Sequence, residues 1–236
     1  MGDWPDEIKA VYVLCHAQKE KARYERLMPH LLQAGIPADR IRVCAPSWGS
    51  ELTAEQIFKV YDPYLKRPPL PTFSYKGCCL TRSEISLGIN FCAAVADAVA
   101  RGEEGLVMTL ESDVWLRRDF MPALKGLVAD LKEKGTWDFV SLGEGVGTRP
   151  PGALRSYYAP TKAYEPPHNW VFRCTDSMLL SLDYVKRLNR SIIPFKEIID
   201  WEMNIQLLFH KGRALWADPP LAEQGSWNSR TSCSLY

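Results

Sequence analysis

Three segments hold carboxylates in settings suited to chemistry. The first is Glu111-Ser112-Asp113, which closes the apolar run Leu106-Val107-Met108-Thr109-Leu110. In open α/β sheets, ligand sites gather beyond the carboxyl ends of strands. Two acids two residues apart project to the same side of an extended chain. They suit a divalent cation of the Mg²⁺ or Mn²⁺ type, which takes carboxylate oxygens together with diphosphate oxygens. A solvated turn with two acids is the plain alternative. The second segment is Leu80-Thr81-Arg82-Ser83-Glu84-Ile85. Thr81-x-x-Glu84 has the form of a capping box, which by itself accounts for Glu84. The functional alternative has Arg82, the helix N-terminus and Glu84 facing a sugar nucleotide. The third is Ile198-Ile199-Asp200-Trp201-Glu202. Here Asp200 is either an N-cap or a reactive carboxylate beside a sugar-stacking wall formed by Trp201. Further on, Pro219-Pro220 stiffens a segment that presents Glu223 and Gln224, either for hydroxyl recognition or as a surface loop.

Elements that must position these residues can be read from periodicity. Ile8 to Leu14 is rich in β-branched and aromatic residues and predicts a buried strand. Lys19 to Leu32 places Tyr24, Leu27, Met28, Leu31 and Leu32 on one helical face, with Gly35 as the stop. Ile41 to Ala45 is the next strand, so the chain opens as β-α-β, the start of a parallel sheet. Residues 47–79 read as irregular because of Pro63, Pro68, Pro69 and Pro71. From Thr81 a helix carries Ile85, Ile89, Cys92, Val95, Ala96 and Val99 as one stripe. The strand 106–110 follows it. Asp119 is placed to cap a helix with Leu124, Leu127, Val128 and Leu131 inward, and a strand follows over 137–142. Residues 143–168 are Gly- and Pro-rich and read as a lid or hairpin over the site, mobile without ligand. Residues 182–188 and 200–210 read as helices, 214–217 as a last strand, and the tail from Asp218 as polar.

Composition narrows the classes. The chain has 236 residues, with 29 basic and 28 acidic side chains. A formal charge of +1 argues against nucleic acid as a partner. One domain over 1–236 is expected from the length. No uninterrupted apolar run approaches the ~18 residues of a membrane span. The N-terminus MGDWPDEIKA lacks an apolar leader, and Asp6 stands where a myristoylation motif wants Ser or Thr. Seven cysteines without a CxxC fit a reducing, cytoplasmic setting. Eight tryptophans supply core, or stacking surface for sugar rings. There is no Walker A, GxGxxG, GxSxG or HExxH pattern.

In order along the chain, these pieces resemble glycosyltransferase family 25, the lipooligosaccharide and procollagen galactosyltransferase-like enzymes. The first strand and basic helix start read AVYVLCHAQKEKARYERL. LTRSEISLGINF stands where the family has "LTxGEIGCxLSH", LVMTLESDV where it has a strand and "EDDV", and WDFVSLG where it has "WDxxxLG". DSMLLSLDYVKRL, PFKEIIDWEMN and DPPLAEQ match later features. The middle acid of the family's "EDD" is Ser112 here, and the Gly before Glu84 is Ser83.

The resemblance implies a GT-A-type α/β domain with a mostly parallel central sheet flanked by helices. It implies transfer of a sugar from a nucleotide-diphosphate donor to a hydroxyl of a glycan or glycosylated acceptor. Asp113 is then the ligand of Mn²⁺ or Mg²⁺, Glu111, Arg82 and Glu84 belong to the donor site, and Asp200 is the base of an inverting reaction. Glu202 competes with Asp200 for that role unless it points to solvent. Two other readings are a nucleotidyltransferase or sugar-nucleotide hydrolase, and a non-catalytic carbohydrate-binding module.

Overall fold

The structure is a computed structural model that describes residues 4–66, 79–143, 160–166 and 174–225. The chain opens with β1 (Ile8–Leu14), α1 (Lys21–Gln33) and β2 (Ile41–Val43). β1 and β2 are parallel, with Val11 beside Ile41 and Val13 beside Val43. The expected β-α-β opening is therefore present. α1 buries Leu27 and Leu31, whereas Leu32 lies on its exposed side.

The segment read as irregular contains a helix in its described part, α2 (Ala54–Val60). Its signal was local. Thr53 accepts from the backbone of Gln56, and the Gln56 side chain accepts from the backbone of Thr53. That reciprocal pair outweighs the prolines further on. Residues 67–78 lie outside the described residues.

α3 (Arg82–Ala100) starts at the predicted capping box, with Thr81 as the N-cap. It is the one described helix long and apolar enough to cross a membrane. Here it packs against β1, α5 (Leu182–Ser191) and α6 (Ile199–Phe209), and ten of its residues are buried. β3 (Leu106–Glu111) and β4 (Val114–Leu116) follow, with a two-residue turn between them. α4 (Phe120–Glu133) buries the predicted leucines. Asp119 stands at the N-cap position as expected, but its carboxylate makes no capping bond because Arg117 holds it, at 2.5 Å from Nε and 2.9 Å from Nη2.

Beyond α4 come β5 (Phe139–Ser141), β6 (Lys162–Tyr164), β7 (Ser177–Ser181), β8 (Ala214–Asp218) and β9 (Ala222–Gln224). The Gly- and Pro-rich stretch thus contributes an edge strand, β6, while residues 144–159 and 167–173 lie outside the described residues. The expected lid motion falls mostly on those residues. The segment from Asp218, expected to be polar, is buried as far as Ala222, and its residues 222–224 pair with β4.

Seven strands make one sheet in the order β2-β1-β3-β7-β5-β8-β6. β2, β1 and β3 are parallel, as are β5 and β8. β7 runs antiparallel to both β3 and β5, and β6 antiparallel to β8. The fold is α/β with a mostly parallel central sheet, as expected. Period-two alternation sorts β1 onto two cores. Ala10, Tyr12 and Leu14 meet α3, α5 and α6, whereas Val11 and Val13 meet α1 and α4. A strand buried on both faces must be apolar throughout, which is why Ile8 to Leu14 reads as a continuous run.

Candidate functional site

The sheet places β1 between β2 and β3. The connection from β1 runs outward to β2, and the chain then returns to β3 on β1's other side. Such a reversal leaves a crevice beyond the carboxyl ends of the flanking strands. A cleft lies there, lined by Leu14 of β1, Glu111, Ser112 and Asp113 at the end of β3, and Gln224 of β9. Its remaining wall comes from α1 (Arg23, with Glu20 just before it), from Trp48 and Gly49, and from the α3 face bearing Ser83, Ser86 and Asn90.

The loop before α2 is stitched to α3. Ser47 donates from its backbone to Asn90 Oδ1 at 2.9 Å, and Asn90 Nδ2 donates back to the Ser47 carbonyl at 3.3 Å. A Cβ on Gly49 would come within 2.8 Å of the Ser83 backbone, so only glycine lets loop and helix meet. Trp48 is the aromatic wall of the cleft, a place that sequence reasoning had given to Trp201. The Trp48 ring meets His16 edge-on at 5.8 Å. Beyond His16 lies a second depression at the ends of β1 and β2, lined by Arg42, Asp97 and Arg101 among others. Its charges are matched internally, Arg42 with Glu103 and Arg101 with Asp97.

Glu111 is the most perturbed carboxyl of the site. Its Oε1 accepts from Thr175 Oγ1 at 2.5 Å. Burial, then the neighbouring Asp113, and further Asp176 and Asp200, push its pKa up to about 8, against the Thr175 hydrogen bond. Asp113 in the turn after β3, Asp176 just before β7 and Asp200 in the first turn of α6 thus each lie near enough to Glu111 to act on it electrostatically. Asp176 was not among the expected site residues. It enters because β7 is antiparallel to β3, so the residue before β7 lies beside the residue ending β3, and Glu111 N donates to the Asp176 carbonyl at 2.8 Å. Gly143 packs against the Asp176 carboxylate so closely that any side chain there would overlap it.

Ser112 stands between the two cleft acids and is turned toward α1. Its Oγ donates to Glu20 Oε1 at 2.7 Å and accepts from Arg23 Nη1 at 3.0 Å. Glu20 and Arg23 also bond to each other at 3.3 Å, and both side chains are nearly buried. Neither was singled out from the sequence, because their link to Ser112 spans about ninety residues and leaves no local pattern.

The other expected residues divide. Asp113 is buried at the cleft, with its backbone carbonyl accepting from Gly225 N. Glu84 is buried and serves the capping box, accepting from Thr81 N at 2.8 Å and Thr81 Oγ1 at 2.9 Å. Arg82 is exposed at the first position of α3, and neither it nor Glu84 lines the cleft. Asp200 is not an N-cap, since Ile198 holds that position. It sits in the first turn of α6, where Oδ2 accepts from Cys174 N at 3.0 Å and Oδ1 from Trp201 N at 2.8 Å. Glu202 does not point to solvent. It is fully buried and accepts from the backbones of Lys196 and Glu197 and from Gln206 Nε2. Glu223 and Gln224 lie in strand β9 rather than on a loop, and Gln224 reaches the cleft.

Among the described residues no three His, Cys, Asp or Glu side chains converge on one point. Hard carboxylate oxygens at Glu111 and Asp113 nonetheless fit Mg²⁺ or Mn²⁺. Such ions are commonly held by one or two carboxylates, with water and substrate phosphates completing the shell. All five described cysteines are free thiols, and burial pushes Cys15 and Cys92 up to about 12, so neither is a reactive nucleophile. No protein-family model matches the chain, and no curated protein matches it significantly.

Proposed function

We propose that this protein is a metal-dependent glycosyltransferase of the GT-A type, moving a sugar from a nucleotide-diphosphate donor to an acceptor hydroxyl with inversion. The observation that carries the reading is the cleft at the β1/β3 switch, with Glu111 and Asp113 at the end of an apolar parallel strand. Switch-point clefts are where α/β sheets bind nucleotides, and paired carboxylates suit a cation that bridges to diphosphate. The resemblance to glycosyltransferase family 25 supports the same residues.

Asp113, with Glu111 beside it, would hold the cation, which would supply positive charge to offset the charge on the departing diphosphate. Trp48 offers a face for a ring, and Gln224 offers a donor and an acceptor to hydroxyls. Asp200 takes the proton of the acceptor hydroxyl as its oxygen bonds to the sugar's anomeric carbon. The bond from that carbon to the diphosphate breaks, and its electron pair leaves with the diphosphate. The Cys174 and Trp201 amides orient the Asp200 carboxylate for this step.

The test is a thermal-shift panel of nucleotide sugars with and without Mn²⁺, followed by product analysis with the donors that bind. A donor that stabilises only with Mn²⁺, and whose sugar is recovered intact on an acceptor, supports the proposal. Transfer of the nucleoside monophosphate to the acceptor with release of sugar phosphate, free sugar as the sole product, or sugar binding without turnover each refutes it. They would indicate nucleotidyl transfer, hydrolysis and a carbohydrate-binding module respectively.

A further inference from the structure

We infer that Arg26 is a positioning residue for Asp113, setting its carboxylate through the backbone on either side; the inference rests on reading Asp113 as the cation ligand. Arg26 Nη2 donates to the Ser112 carbonyl at 2.9 Å, and Nη1 donates to the Val114 carbonyl at 3.1 Å. One rigid guanidinium thus holds the peptide group that joins Ser112 to Asp113 and the one that follows Val114, the next residue. Fixing both flanking carbonyls leaves the Asp113 backbone little freedom, so the direction of its side chain follows from the fork.

The fork is itself fixed. It lies over the Trp115 ring at 4.4 Å from the centroid, and Trp115 meets His30 at 5.6 Å. His30, one turn along α1 from Arg26, accepts from Leu116 N at 2.8 Å through Nε2. Residues 26 and 30 of one helix face therefore read three backbone groups in succession, the carbonyls of 112 and 114 and the amide of 116. Arg23, a turn earlier, takes the Ser112 hydroxyl. The face of α1 that binds this turn places neither Arg26 nor His30 in the lining of the cleft. Its contribution there is geometric.

Charge and geometry predict opposite effects here, and that makes the inference testable. The Arg26 cation is close enough to Asp113 to interact with it electrostatically. If its charge alone mattered, removing it would strengthen cation binding by relieving repulsion. If the fork positions Asp113, removing it weakens binding despite that relief. Lysine keeps the charge but cannot span two carbonyls as a planar fork.

The experiment titrates Mn²⁺ alone into the full chain, reading free Mn²⁺ by electron paramagnetic resonance, for wild type, Arg26→Met and Arg26→Lys. Hydrogen exchange of amides 112–116 is followed in parallel. Both variants should bind Mn²⁺ about 10–100-fold more weakly, the range for residues that orient metal ligands. Both should lose protection at 112–116 while β1 and β3 keep theirs. Unchanged or tighter Mn²⁺ binding in a folded Arg26→Met or Arg26→Lys overturns the inference. Should wild type bind no Mn²⁺, the metal reading of Asp113 falls, and exchange still decides the positioning: wild-type protection at 112–116 in Arg26→Lys overturns it. If Arg26→Met does not fold, Arg26→Lys carries both readouts.

Discussion

At the residue scale, Glu111 and Asp113 separate into different tasks. Glu111 has its pKa raised to about 8 from an ordinary 4.5, chiefly by burial. Between those values the folded protein keeps a proton that the unfolded chain gives up. Stability therefore falls as pH rises through this window, and the full cost is present above pH 8. Glu111→Gln removes the ionisable group and keeps an oxygen for Thr175. In chelator, its melting temperature should match wild type near pH 4.5 and exceed it increasingly up to pH 8. A difference that stays flat with pH would show that the carboxyl titrates normally. Asp113→Ala should abolish Mn²⁺-dependent turnover and the Mn²⁺-dependent part of the thermal shift. Turnover that persists in chelator would remove Asp113 from the metal role. The acids of β3 were legible because an apolar run ending in carboxylates is a local pattern. Asp176, Glu20 and Arg23 were not, since antiparallel pairing and a contact across about ninety residues bring them in.

At the scale of elements, the first turn of α6 carries two acids with different surroundings. Asp200 is partly exposed beside the other site acids, and Glu202 is enclosed among backbone donors. Asp200→Asn should cut kcat by about 10²–10⁴-fold with donor affinity near wild type. Because the site is partly exposed, turning its amide nitrogen toward the Cys174 or Trp201 amide should lower the melting temperature only slightly. Glu202→Gln should instead lower the melting temperature, because its amide nitrogen would face donors, with kcat of the folded fraction retained. A stable but dead Glu202→Gln beside an active Asp200→Asn would reverse the assignment. Periodicity served well where an element buries one stripe, as in α3 and α4, and where both faces are buried, as in β1. It failed for β4, β6 and β9, each three residues long, too short to show a period. Asp119 illustrates another limit. Its type suits a cap, but a guanidinium two residues away competes for the same oxygens and wins.

At the scale of the whole molecule, the central sheet and the cleft depend on contacts of different reach. The β-α-β opening joins neighbouring segments, whereas β3 pairs with β1 across about a hundred residues, with Val11 beside Met108, on one parallel core. The cleft needs α1, the loop before α2, α3, the β3–β4 turn and β9 together. A donor present at about 100 times its Kd with Mn²⁺ should add roughly 2.7 kcal/mol of stability, visible as a raised melting temperature. No such gain should occur for a donor lacking its diphosphate. The pairing of β4 with β9 has a consequence for biosynthesis. Val114 meets Gln224, about 110 residues later, and Gly225 binds the Asp113 carbonyl. As the chain leaves the ribosome, β3 and the turn that carry the two acids exist long before the segment that closes over that turn. A polypeptide ending at residue 220 should therefore show the far-ultraviolet signature of an α/β sheet while binding Mn²⁺ far more weakly than the full chain. On the proposed reading of Asp113, binding competence arrives only once the chain has emerged through Gly225.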